Sequence, residues 1–171
     1  MGRLRLFIAA SLDGYIARPD GSVDWLFTDG DYGYQEFYDS IDIVLMGRKT
    51  YEQVLEFGDY PYSDKKSFVF IRKDITPSDK NASFVSKDIV GFTESLLKAG
   101  NSDIWLVGGS EIIKIFLEHD LIDDIIVSIH PIILGEGIPL FKHIKKEIHM
   151  ELVNHVSFES GLVQLHYSIL L

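Results

Sequence analysis

Two short stretches bring glycine to the seam between an apolar run and a helical pattern: VLMGRKTYE (44–52) and IWLVGGSEII (104–113). Glycine at such a seam lets the backbone approach a ligand closely. The helix start behind it presents N–H groups without intrahelical partners and a partial positive charge, which together favour anions. Behind Gly47 stand Arg48, Lys49 and Thr50, two cations and a hydroxyl donor, a set suited to phosphate. Arg72, followed by Lys73, ends the apolar run SFVFI (67–71) and carries a guanidinium able to grip a phosphate with two hydrogen bonds. Each feature also has a plain structural reading. Gly47 and Gly108-Gly109 would serve a tight strand-to-helix turn, and Arg72 would serve as a solvated strand-end charge. Two such seams in one chain, one of them followed by cations, favour a phosphate-bearing ligand.

The standard phosphate motifs do not fit. GRKT lacks the upstream glycine and the Gly-Lys adjacency of a P-loop, and GxGxxG is absent. GEG at 135–137 precedes Ile-Pro and opens no helix. Other chemistries find little support. The six histidines, His119, His130, His143, His149, His155 and His166, form no metal-ligand spacing and read as surface or sheet-edge residues. No Gly-x-Ser-x-Gly elbow is present. The absence of cysteine removes disulfides, thiolate nucleophiles and thiolate metal sites.

The elements that must hold the seams follow from periodicity. Apolar strands are predicted at 3–10, 42–46, 67–71, 82–86, 103–107 and 122–130, and helices at about 31–40, 49–57, 88–100 and 110–118. The stretch 11–25 is rich in turn signals and reads as a loop, as does 135–141. Two extended stretches, about 147–157 and 161–170, close the chain with Ser160-Gly161 as their turn. In the second, Val163, Leu165, Tyr167 and Ile169 alternate with Gln164, His166 and Ser168. Strands alternating with helices imply an α/β fold with a mostly parallel central sheet, helices on both faces and an antiparallel C-terminal hairpin. In such sheets the seams lie at the carboxyl ends of strands, where ligands bind. With 171 residues and no linker or repeat, residues 1–171 read as one domain.

Sixteen basic against 26 acidic side chains give a net charge of −10, a poor footprint for a nucleic-acid backbone. The apolar stretch near the N-terminus breaks at Ser11 and Asp13, too soon for a signal core. Leu6 stands where a myristoylation pattern needs a hydroxyl residue. No apolar run approaches membrane-spanning length. The chain therefore reads as cytoplasmic, with no membrane partner.

IAASLDGYIA, Trp25, VLMGRKTYE and IWLVGGSEII, in this order and at these separations, resemble the dihydrofolate reductase-like family. The stretch LVGGSEIIKIFLEHDLIDDIIVSIHPIILGEGIPLF (106–141) is similar to one branch, the reductase domain of bacterial riboflavin biosynthesis and its stand-alone relatives. The resemblance implies a three-layer α/β/α domain, NADPH as cofactor and hydride transfer to a small heterocyclic or sugar-derived substrate. Substrates of that group are 5-amino-6-(5-phosphoribosylamino)uracil and dihydrofolate. It further implies a cis peptide bond between Gly108 and Gly109, lying against the cofactor. Gly47, Arg48, Lys49 and Thr50 would hold the cofactor's phosphates. Arg72, helped by Lys73, would sit near the 2′-phosphate, and Val107, Gly109, Ser110 and Glu111 would line the other side. Ala10, Ile16 and the 17–24 loop would border the nicotinamide, with Trp25 near the substrate.

Dihydrofolate reductases carry an acidic residue on the first helix that binds the pterin. Counting back from Gly47 puts Asp31 near that point, as the candidate catalytic acid. Asp29, Glu36 and Asp39 are close by, and a surface carboxylate is the plain reading of each. The aromatic spacing after Asp31 does not match, and Ile112 and Ile113 stand where the folate enzymes often carry an aromatic; both argue against folate as the natural substrate. Against the riboflavin pathway, no fused deaminase domain or zinc motif is present. A nucleotide-binding module without catalysis and a flavin-using reductase are the rival readings. The apolar character of the terminal hairpin suggests a homodimer, as in the riboflavin-branch relatives.

Overall fold

The computed structural model describes residues 1–73 and 79–171. Its first strand, β1 (Leu4–Ser11), leads through a short β2 (Tyr15–Ala17) and a long loop to α1 (Tyr34–Asp39). Then follow β3 (Ile41–Gly47), α2 (Arg48–Glu56), β4 (Lys66–Phe70), β5 (Ser83–Val85) and α3 (Ile89–Ala99). Next come β6 (Asp103–Gly108), α4 (Ser110–Glu118), β7 (Asp124–His130) and the two-residue β8 (Ile138–Pro139). The hairpin β9 (Met150–Ser157) and β10 (Val163–Ile169) closes the chain. The main sheet has the order β5-β4-β3-β6-β1-β7-β10-β9. Its strands from β5 to β7 are parallel, and β10 and β9 each pair antiparallel with their neighbour.

Inner strands are apolar on both sides because both sides are covered. Leu4, Leu6, Leu45, Ile104 and Leu106 pack with Leu97 of α3 and Ile113, Phe116 and Leu117 of α4. Their sequence neighbours Val44, Met46 and Trp105 point the other way, against Phe37 and Tyr38 of α1 and Tyr51 and Val54 of α2. The period-two alternation of side chains thus builds two cores on one sheet, the three layers expected from the sequence.

Chain order decides which strand tips meet. From β1 the chain crosses to β3 and moves outward to β4 and β5, then returns to insert β6 between β3 and β1. The winding direction reverses there, and in open α/β sheets the crevice outside the carboxyl ends at such a point is where ligands bind. At the opposite end, the buried Asp124 carboxylate takes Arg3 Nε and Nη2, both at 2.9 Å. Asp123 accepts Leu4 N–H at 2.8 Å and Asp103 accepts Arg3 N–H at 3.1 Å. These bonds tie the amino ends of β1, β6 and β7 together.

Two differences from the sequence reading have local causes. The first helix starts at Tyr34, later than 31, because Tyr32 (φ 51°) and Gly33 (φ 79°) occupy the left-handed region, which a right-handed helix cannot include. The 11–25 and 135–141 loops each contribute one strand to a small two-stranded sheet, Tyr15 opposite Pro139 and Ala17 opposite Ile138. Segments of two or three residues carry no readable alternation.

Phe116 is fully buried, with its ring centroid 5.7 Å from that of Phe70. Phe116→Ala is expected to lower the unfolding free energy by about 3–5 kcal/mol, read as a drop in the urea midpoint with little change in slope.

Candidate functional site

The two glycine seams lie side by side. β3 and β6 are parallel neighbours, with Met46 in register with Gly108. A Cβ built on Gly47 would stand 3.8 Å from Gly109 N and 3.9 Å from the Gly108 carbonyl oxygen. Built on Gly108 or Gly109, it would meet Thr50 Oγ1 at 3.6 or 3.5 Å. The Thr50 hydroxyl of one seam therefore faces the diglycine of the other. The Gly108-Gly109 peptide is cis, and Gly108 has φ 150°, a conformation that L side chains rarely adopt. Gly47 and Gly109 are the N-cap residues of α2 and α4, and neither helix start has a side-chain cap. Two helix N-termini thus open onto one crevice with their leading N–H groups uncapped by side chains.

Charge around the crevice is mixed. Arg48 and Lys49 are exposed, and Arg48 Nε donates to Glu52 one helical turn on, at 2.8 Å. Arg72 and Lys73 are exposed just beyond the carboxyl end of β4. Glu111, in the first turn of α4, accepts from Lys142 Nζ at 2.7 Å. That bond holds the Glu111 carboxyl below its usual range, with the positive field of Arg72 helping. Ser110 is buried and Val107 half-buried.

The residues expected to border the nicotinamide sit on strands next to the crevice or in the loop after them. Ala10 is buried near the carboxyl end of β1, and Ile16 is half-buried in β2. Trp25 is buried, and its Nε1 has no hydrogen-bond partner among the described residues. Asp31 lies apart from this group, exposed and ahead of α1. Its carboxylate accepts the Gln35 N–H at 3.1 Å, a local helix-start bond. It borders a shallow cleft of about 320 Å³ shared with Asp29, Tyr32, Phe158 and Ser160, whose lining contains no residue of either seam.

The loops are stitched together by side chains that no sequence motif marks. Asp13 accepts Ser11 Oγ–H at 2.6 Å, Leu134 N–H at 3.1 Å and Gly135 N–H at 2.8 Å. One carboxylate thereby straps the loop after β1 to the loop after β7, and the Ser11 bond leads in keeping its pKa low. The 18–33 loop crosses the carboxyl edge. Arg18 and Asp24 close its first turn at 2.6 Å, and Gln53 of α2 donates to the Gly21 carbonyl at 2.8 Å. At the far side Gln164 of β10 donates to the Tyr32 carbonyl at 3.0 Å. His130 corrects the expectation that the histidines lie on the surface or at a sheet edge: it is 3% exposed, at the end of an interior strand. Its sequence signal was its place as the last residue of an apolar strand before Pro131.

Comparison with known proteins identifies the family and the fold. Residues 3–164 match the RibD C-terminal domain family. The chain is similar to the uncharacterized protein YwjB of Bacillus subtilis (strain 168), 40% identical over 166 residues and 95% of each sequence. A putative riboflavin biosynthesis protein from Shewanella sp. PV-4 superposes with a TM-score of 0.88 at 30% identity, over 99% of each chain. Dihydrofolate reductase from Enterococcus faecalis, complexed with NADP(H) and RAB-propyl, shares the fold at a TM-score of 0.74 and 17% identity, over 98% of this chain and 96% of that one. This chain belongs to the RibD C-terminal domain family, with a reductase-type α/β fold.

Proposed function

We propose that this protein is an NADPH-dependent reductase acting on a small heterocyclic or sugar-derived substrate, with an activity similar to that of the 5-amino-6-(5-phosphoribosylamino)uracil reductase and dihydrofolate reductase group. One observation carries the reading: two helix starts without side-chain caps, behind Gly47 and Gly109, meet at the tips of adjacent parallel strands. A crevice of backbone N–H groups with the Thr50 hydroxyl in it and no side chain filling the glycine positions fits a dinucleotide's phosphates. NADPH would supply the hydride, and the protein binds, orients and excludes water. Gly47, Arg48, Lys49 and Thr50 would hold the phosphates. Arg72 and Lys73 would meet the 2′-phosphate, Arg48 exchanging Glu52 for the ligand. Val107, Gly108, Gly109, Ser110 and Glu111 would line the opposite wall. Ala10, Ile16 and Trp25 would frame the reacting end, where the indole N–H of Trp25 has no partner among the described residues.

Asp31 is the proposed proton donor, with an ordered water as the alternative. Its engagement with the Gln35 N–H favours a second reading, a nucleotide-binding module of the same fold without catalysis. The site is proposed to work in the cytoplasm; among the described residues no helix is long and apolar enough to cross a membrane.

A homodimer is proposed through the terminal hairpin. β9 is exposed along its whole length, including Leu152 at 48% and Val153 at 55%, and stands at the sheet edge. An exposed apolar edge strand invites pairing with a second copy. Light scattering at micromolar concentration is expected to give about twice 19.4 kDa, and a monomeric mass would reject the dimer.

NADPH should raise the melting temperature more than NADH or free flavin does, because selective binding to the folded state stabilises it. Arg72→Ala should weaken NADPH by roughly 10- to 100-fold, the loss of a charge-assisted contact, and leave NADH unchanged. Equal responses to the two dinucleotides in the unaltered protein would remove the role given to Arg72. If Asp31 donates the proton, Asp31→Asn should lower kcat by roughly 100-fold or more with KM little changed. Wild-type turnover in Asp31→Asn assigns the proton to another donor, and binding of NADPH without turnover of any carbonyl or imine substrate supports the second reading.

A further inference from the structure

His130 stands at the carboxyl tip of β7, in register with Ser11 of β1. Its Nε2 lies 3.2 Å from Phe27 N. A backbone N–H can only donate, so Nε2 carries a lone pair and the ring proton sits on Nδ1. From there it donates to the Ser128 carbonyl at 3.2 Å. The two bonds select one neutral tautomer. The ring is enclosed by the segment it holds: Trp25 packs edge-on at 5.2 Å between centroids, and Phe27 packs at 4.9 Å. His130 is therefore the central anchor of the 18–33 loop, between the Gln53 tie at one end and the Gln164 tie at the other.

We infer that His130 is a positioning residue that makes closure of the 25–33 segment over the carboxyl edge dependent on pH. A second proton on the imidazole goes to Nε2 and sets an N–H against the Phe27 N–H. Two donors cannot share that contact, so the bond is lost and a charge is left in an apolar enclosure. Proton uptake and release of the loop are then one event. Among the described residues only burial and the Ser128 carbonyl act on the imidazole, and the nearby acids are engaged elsewhere. Asp13 is taken up by Ser11 and two backbone N–H groups. Asp24 is paired with Arg18, Asp29 accepts from Tyr32, and Asp31 accepts from Gln35. Glu159 lies in the β9–β10 turn, beside the cleft that Asp31 borders. Burial accordingly pushes the His130 pKa below its ordinary 6.5, against the smaller opposing effect of the Ser128 carbonyl. The unfolded or released state thus binds more protons. Closure is complete above about pH 6.5 and weakens as the pH falls toward the depressed native value.

The consequence for ligand rests on the reductase reading; the coupling between His130 and the loop does not. Nitrogen NMR of the full-length protein should show the Nδ1–H tautomer at neutral pH and a titration below 6.5. Amide exchange across residues 25–33, corrected for its intrinsic pH dependence, should rise in step with that titration by roughly fivefold, the equivalent of one backbone hydrogen bond. NADPH affinity should fall by a similar factor over the same interval. His130→Gln keeps an acceptor for Phe27 but cannot be charged, so both steps should disappear. Titration of His130 without faster exchange at 25–33, or the same step surviving in His130→Gln, overturns the inference. If NADPH binds at no pH, the reductase reading fails while the exchange data still decide the role of His130. If His130→Gln does not fold, the titration of the unaltered protein decides it alone.

Discussion

The structure depends on where β6 enters the sheet. Insertion between β3 and β1 puts two glycine-bearing strand tips in adjacent register and starts two helices from the same crevice. Any slot not beside β3 would put at least one strand between Gly47 and Gly108-Gly109, adding about 5 Å in the hydrogen-bonding direction. The close approach also explains why glycine occupies these positions. At Gly47 a Cβ would stand 3.3 Å from Ile112 Cγ1, and at Gly108 the backbone angle itself excludes an ordinary side chain. The two cores serve this arrangement, since α2 and α4 must pack on opposite faces for both helix starts to reach the same edge.

The carboxyl edge is finished by hydrogen bonds that a few side chains make to distant backbone. Asp13 joins the loops after β1 and β7, while Gln53, His130 and Gln164 fasten the crossing loop at successive points. Such bonds are modest singly, but a buried donor or acceptor left without its partner is costly. The loop is therefore held by matched pairs, while Trp25 Nε1 has no partner among the described residues.

Net acidity did not prevent a local concentration of cations. Arg48, Lys49, Arg72 and Lys73 all follow strands at the carboxyl edge, while Arg3 and Arg5 are committed to carboxylates at the other end of the sheet. Placement of charge, more than its total, decides which anions a protein can attract at short range.

Strand and helix periodicity, the glycine seams and the terminal hairpin were legible in the sequence, because burial of alternate or helical faces writes itself into residue order. Helix bounds agreed to within a residue or two except at α1, where consecutive left-handed residues delay the start. Asp31, positioned by counting from Gly47, turned out to be engaged locally, since helix-start bonds depend on backbone angles that residue counts do not contain. The bond between Phe27 and His130 and the strap made by Asp13 could not be read, as each joins residues about a hundred or more positions apart. Sequence alone thus determined the fold class and which residues stand at the strand ends, through local steric and hydrophobic preference. Only the tertiary structure decided which strand ends are neighbours and which loops close over them, because sheet order and cross-loop hydrogen bonds arise from contacts between distant parts of the chain.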